Sequence, residues 1–336
     1  RALGLLISAA AEAVMGVPAP AIPRLIRCPG CRGALAAADA QTWRCATCGR
    51  AFPVDGVIAR FVPDSGYADS FSHQWKAHAR TQLDSHSGLA ISRTRFFSVT
   101  RWPERMEGQA ILEAGCGAGR FTEVACSTGA EIYSFDLSAA VEANAENNGG
   151  YPNLHLLQAD ILHPPFADRA FDKVFCFGVL QHTPNPESSF RSLARLVRPG
   201  GEIVIDVYRR SLTAFLSWKY LLRHLASRMD KRRLYDVVAR ATPPLIPITG
   251  ALRAIGGGAL ARLSPIVEYG HLGLAPELNR DWAVLDTFDM YSPEFDCPQS
   301  EADIWRWFEE TGFADIRIGP GPNGLIGWGQ KLQSSA

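Results

Sequence analysis

The chain has 336 residues, 47% of them hydrophobic, with 34 Lys/Arg balanced by 34 Asp/Glu. That apolar content excludes global disorder and supplies core for roughly two domains, and a net charge of zero removes any overall field that would gather nucleic acid. The charge is uneven along the chain, however: Arg209–Arg262 carries eleven Lys/Arg against two Asp, and everything after it carries twelve Asp/Glu against four cations. The plainest reading is mutual neutralisation on a solvated surface.

Taken in chain order, Ala2–Ala11 is apolar, and Ala11-Glu12-Ala13 has the outline of a signal-peptidase site. The cysteines oppose a secreted fate. Four of the eight form two CxxC pairs and the others, Cys116, Cys126, Cys176 and Cys297, are scattered, which is how a reduced, cytoplasmic protein uses cysteine. A frayed or helical leader is therefore expected. No uncharged apolar run approaches the ~20 residues that span a bilayer.

Residues 22–63 form a short, turn-rich module. Cys28-Pro-Gly-Cys31 and Cys45-Ala-Thr-Cys48 are separated by 13 residues. Each CxxC turn aims two thiolates at one point, and two turns close a tetrahedral all-thiolate site for Zn2+. Such a site leaves no position for water, so its zinc is structural, and metal binding supplies much of the folding energy of so small a unit.

Residues 64–107 read as a linker or N-terminal cap, with an aromatic stretch, Phe71–Trp75, and Thr81-Gln-Leu-Asp84. Strand-like and helical runs then alternate over 108–208. Strands are predicted at Ala110–Glu113, Glu131–Phe135, Leu154–Gln158, Lys173–Phe177 and Glu202–Val207, and helices open near Gly119, Ser138 and Pro186. That alternation implies βαβ units and a parallel sheet. Residues 209–280 interrupt it with apolar, arginine-studded helices broken at Pro243-Pro244, Pro247 and Gly256-Gly257-Gly258. The core resumes over 281–332, with an amphipathic helix at Glu301–Thr311 and strands near Ala314–Ile318 and Gly327–Lys331.

The chemistry is concentrated in Ala110-Ile-Leu-Glu-Ala-Gly-Cys-Gly-Ala-Gly-Arg120. A strand runs into Gly115, Gly117 and Gly119, whose spacing lets the backbone turn tightly around Cys116 and present open N–H groups to a ligand. The spacing is G-x-G-x-G, whereas a dinucleotide fingerprint needs its third glycine where Arg120 stands. Glu113 would repel a pyrophosphate but can organise an ammonium group. Asp136, followed by Leu137, ends the second strand where a carboxylate accepts ribose hydroxyls, which argues for an adenosine ribose without selecting one cofactor. Asp160 can take an adenine amino group with Ile161 packed on the ring, and Phe177-Gly178 closes the fourth strand.

In order and spacing, Glu113–Arg120, Asp136, Ala159-Asp160, Phe171-Asp172, the Val-Leu-Gln-His stretch ending at His182, and Leu196-Val-Arg-Pro-Gly-Gly201 resemble the class I methyltransferases of the type 11 group, which includes ubiquinone-biosynthesis enzymes. The resemblance implies a Rossmann-like, seven-stranded α/β sheet with a reversed last strand, and S-adenosyl-L-methionine as cofactor. Cys48–Gly56 resembles the zinc ribbon of small methyltransferase-activator proteins. Methyl transfer is an in-line displacement, so positioning dominates. His182 reads as a general base or a loop-capping residue. Asp206 and Tyr208 end the fifth strand and can contact substrate. Gln82 and Arg80 are placed to reach the methionine carboxylate, and Trp75 to close over the cofactor or simply to pack. The enzymes this chain resembles elaborate their acceptor pocket after the fifth strand, so 209–280 is the expected lid, forming a hydrophobic pocket, a peripheral membrane face or a phosphate-reading surface. Asp286, Asp289 and Tyr291 either line the acceptor site or brace the domains. A small-molecule, lipid-linked or glycan-linked acceptor leads; an RNA base methyltransferase is opposed by the neutral charge, and a non-catalytic scaffold by the intact Glu113–Asp136–Asp160 set.

Overall fold

The computed structural model describes residues 22–62, 78–211 and 218–333. The apolar leader and the aromatic stretch with Trp75 lie outside the described residues.

Five strands form the parallel heart of the sheet: β5 (Ala110–Ala114), β6 (Glu131–Asp136), β7 (Leu154–Gln158), β8 (Phe171–Phe177) and β9 (Val197–Tyr208). Their apolar runs are explained by burial on both faces; every residue of β5 is buried. The hairpin β10 (Phe313–Gly321) and β11 (Gly324–Lys331) follows, with β11 antiparallel to β9. The order β7-β6-β5-β8-β9-β11-β10 puts the reversed strand last in the chain but one from the edge.

The sheet does not stop at seven strands. β1 (Leu35–Asp39), β2 (Thr42–Cys45), β3 (Ala51–Asp55) and β4 (Ile58–Arg60) of the cysteine module extend it to eleven, because β4 pairs in parallel with β7 through Ile58–Leu156, Ala59–Leu157 and Arg60–Gln158. The expected seven is thus a correct inner order inside a longer sheet. Ile26, Trp43, Val54 and Ala59 of the module share one apolar cluster with Phe135, Phe166 and Phe171.

The helices are α1 (Ile91–Thr100), α2 (Arg120–Cys126), α3 (Ala140–Asn148), α4 (Pro186–Ala194), α5 (Trp218–Ala226), α6 (Lys231–Ala261), α7 (Pro276–Tyr291) and α8 (Glu301–Glu310), with a helical turn at Asp84–Ser87. Two expectations need correction. Pro243, Pro244 and Pro247 do not break the insertion; they lie within α6, half-exposed or exposed, where carbonyls lacking an amide partner can meet water. The interruption is at Gly256 and at Gly257, whose φ of 62° and ψ of −155° suit glycine. Nor does the core resume at residue 281: α7 begins at Pro276 and packs Val284, Phe288 and Tyr291 against Leu234 and Val238 of α6, so it belongs to the insertion.

Candidate active site

At the carboxyl ends of β5 to β9 lies a cavity of about 600 Å3, the position where open α/β sheets bind ligands. Its inner wall is the turn after β5. Gly115, Gly117 and Gly119 have φ of 78°, 52° and 93°. A Cβ on Gly115 would sit 2.2 Å from Val179, so only glycine lets the strand ends meet there. The Gly117 N–H donates to Asp136 Oδ2 at 2.8 Å, while Ser138 donates to Oδ1 through its amide and its hydroxyl. The turn is therefore held open by the carboxylate that ends β6. Burial, the largest influence, raises the pKa of Asp136 against those bonds.

Gly115, Cys116, Gly117, Asp136, Leu137, Ile161, Phe177, Gly178 and Gln82 line the cavity, as do His182, Tyr208, Asp286 and Asp289. Among the described residues, the other predicted ones do not. Glu113 is buried beneath the turn, accepting from Thr122 Oγ1 at 2.5 Å and Ser134 Oγ at 2.6 Å, and burial raises its pKa to about 7. Gly119 sits where α2 crosses α3; a Cβ there would strike Asn144 and Asn148 at 2.2 Å. The Asp160 carboxylate turns to the Leu162 amide and His163, leaving Ala159 and Ile161 on the wall. Arg80 is exposed. Tyr291 donates to the Pro265 carbonyl, an intra-lid brace. Asp206 is fully buried and accepts from Arg95 at 2.7 Å.

Arg95, on α1, is one of the residues that the sequence reading missed; Arg120, Lys219, Arg262 and Tyr269 are others, and all line the cavity. Arg120 donates to Ser92 Oγ and lies between the Phe121 and Trp282 rings, about 5 Å from each. Burial and the neighbouring Arg95 bring its pKa to about 10, so it remains a cation. Asp286 accepts from Gln82 Nε2 at 3.0 Å and from the Tyr269 hydroxyl, tying the lid to the segment before α1. At the outer end, the His182 ring meets Tyr208 edge-on at 5.3 Å, and Lys219 Nζ stands 4.0 Å over the Tyr208 ring while pairing with Asp296. His182 Nδ1 lies 3.0 Å from the Phe295 carbonyl, so Nδ1 carries the proton, and burial lowers the pKa to about 4.

Away from the cavity, the sulfurs of Cys28, Cys31, Cys45 and Cys48 all lie within 4.8 Å of one another. Cys31–Cys45 are 3.3 Å apart and Cys28–Cys48 3.7 Å.

The glycine turn braced by a carboxylate thus lies at the centre of the inner strand order β7-β6-β5-β8-β9-β11-β10. Residues 112–205 match the family model described as "Methyltransferase domain", and the chain carries such a domain. Among curated proteins it is similar to the ubiquinone biosynthesis O-methyltransferases of Alkalilimnicola ehrlichii, 34% identical over 127 residues (36% of this chain, 51% of that protein), and Methylococcus capsulatus, 33% over 125 residues (35% and 53%). The chain thus spans about half the length of the curated relatives it matches. A solved SAM-dependent methyltransferase from Methanosarcina mazei is similar over 69% of this chain and 96% of its own, at 15% identity and a TM-score of 0.41.

Proposed function

We propose that the chain transfers the methyl group of S-adenosylmethionine to an oxygen of a small-molecule acceptor. The observation that carries this reading is the division of the cavity into two unlike halves. Its inner half is a glycine turn with a carboxylate and apolar walls; its outer half is built from the lid and is rich in hydroxyl, imidazole and cationic groups. The residues suit the cofactor. Asp136 would hold the ribose, Leu137 and Ile161 the base, and the backbone of Gly115–Gly117 the amino-acid end, with Gln82, Arg95 and Arg120 near its carboxylate. The bound cofactor supplies an electrophilic methyl on a sulfonium.

The chain's own residues then orient the acceptor and exclude water. Tyr208, Tyr269 and His182 offer hydrogen bonds to the acceptor oxygen. With its proton on Nδ1, the imidazole keeps its basic lone pair on Nε2, and a pKa near 4 holds it neutral at ordinary pH. It can accept a hydroxyl proton only as that oxygen gains the methyl group. Support for oxygen as the methylated atom comes from the names of the curated relatives, which are O-methyltransferases.

The four cysteines are proposed to hold structural zinc. A tetrahedral Zn–S4 centre places its sulfurs about 3.8 Å apart, within the spread seen here.

Calorimetric titration with S-adenosylmethionine tests the central claim, and Asp136→Ala is expected to weaken binding by roughly 1–3 kcal/mol as the turn and the sugar lose a charged acceptor. A wild-type chain that binds no S-adenosylmethionine removes the reading, and an unchanged affinity in the variant removes Asp136 from the site.

A further inference from the structure

Helix α5 is amphipathic with its faces exchanged. Trp218, Leu221, Leu222 and Leu225 follow the i, i+3, i+4, i+7 spacing of one face, and that face is open to solvent, with Leu221 60% and Leu225 70% exposed. The inward side buries Ala226 together with two cations. There Lys219 pairs with Asp296 at 2.9 Å, and Arg223 donates to the Pro293 carbonyl at 2.6 Å. Burying a leucine side chain is worth about 1.5–3 kcal/mol, so water alone would favour the reverse arrangement.

Helix α6 continues the surface. Val237, Pro244, Ile248 and Ile255 share one helical face and are exposed, Ile255 by 81%. By length and composition α6 is apolar enough to cross a membrane. Its other flank, Leu234 and Val238, is packed on α7, so it lies along the protein and does not stand free in lipid. Cations accompany the stripe. Arg228, Arg232, Arg233, Arg240 and Arg262 make no salt bridge among the described residues, and Arg233 and Arg240 fall beside the apolar face at helical spacing.

We infer that α5 and α6 form an interfacial surface that seats the protein on an anionic lipid bilayer. An apolar face bordered by unpaired arginines is the pattern that lies in a headgroup region, the side chains entering the acyl boundary and the guanidiniums meeting lipid phosphates. A nucleic acid would match the arginines and leave the leucines in water. Lys219 and Arg262 of the same insertion line the cavity, so the insertion that carries the apolar surface also walls the acceptor half, through the inward side of α5.

Flotation of the full chain with vesicles of phosphatidylcholine, alone or mixed with phosphatidylglycerol, tests it. The wild type is expected to float with the mixed vesicles, less with phosphatidylcholine alone, and to be released by salt. The double variant Leu221→Glu/Leu225→Glu should lose association roughly tenfold or more while keeping its melting temperature and its affinity for S-adenosylmethionine, since neither residue touches core or cavity. Arg233→Glu/Arg240→Glu should abolish the preference for phosphatidylglycerol. Failure of the wild type to float, or equal binding to both vesicles, overturns the proposal, as does a self-association in the ultracentrifuge that the leucine variant dissolves. A chain that floats but binds no S-adenosylmethionine keeps this surface and loses only the enzymatic reading.

Discussion

Glu113 sits in the middle of the most informative motif of the chain, yet it faces away from the cavity, into the layer between β5, β6 and α2. Strand alternation explains this: Ala114 and Gly115 carry the backbone over the edge, and the side chain two residues before the turn points back into the protein. Burial is the dominant influence on its pKa, opposed by the Ser134 and Thr122 hydroxyls, and the outcome is about 7 against an ordinary 4.5. A raised acid binds its proton in the folded state while the unfolded chain releases it. The associated stability is therefore complete below about pH 4.5 and is lost as pH rises through about 7. Glu113→Gln should erase that slope, so that the wild type loses on the order of 3 kcal/mol relative to the variant across the interval. Urea unfolding at the two ends of the range checks it, and parallel curves for the two proteins would reject it. The same geometry shows what single residues reveal in sequence. Gly115 and Asp136 announce themselves because backbone freedom and a strand-end acid have few other uses. Glu113 and Asp160 carry the same chemical type, and only side-chain direction separates a ligand group from a brace.

At the scale of elements, α1 was the least legible part of the site. Ile91–Thr100 lies in a polar, aromatic stretch that resembles a linker, with Arg93, Arg95 and Ser98 blurring any helical period, and Ala90 provides no side-chain cap. Its start is capped from a distance: Asp84 Oδ1 and Oδ2 accept the Ser92 and Arg93 amides, each at 2.8 Å. That contact aligns the helix so that Arg95 reaches Asp206 and the cavity. Asp84→Ala should cost about 1–2 kcal/mol of stability, the usual range for a lost cap, and should weaken S-adenosylmethionine binding although Asp84 does not line the cavity. Chemical denaturation and calorimetry on one preparation measure both; full affinity in a destabilised variant would separate α1 from cofactor binding. The core strands were legible for the opposite reason, since parallel strands buried on both faces have little choice but continuous apolar runs. Strands β1 to β4 were not read, being three to five residues long and set by their pairing partners. The lid cations Lys219 and Arg262 were equally hidden, because which arginine or lysine of a basic stretch turns inward is decided by Asp296 and by helix packing far along the chain.

Across the whole molecule, the cysteine module is continuous with the catalytic domain. Strand β4 adds to the edge of the sheet, Arg60 bonds Gln158 and pairs with Glu142, and Arg32 donates to the Phe166 carbonyl at 2.8 Å. Trp43 and Val54 lie in the same apolar cluster as the rings beneath β6. A module read by itself would be expected to melt alone once the proposed zinc was withdrawn. Shared strands and a shared core predict cooperative behaviour instead, because opening the module exposes the flank of β7 and uncovers Phe166. Differential scanning calorimetry of the zinc-loaded chain should therefore show these two parts unfolding in one transition. Chelation, or Cys45→Ser, should move that transition down by on the order of 5–10 °C without splitting it. A separate low-temperature transition, with the main one left where it was, would mean that the module is an appendage and that the strand pairing at β4 contributes little to the stability of the catalytic core.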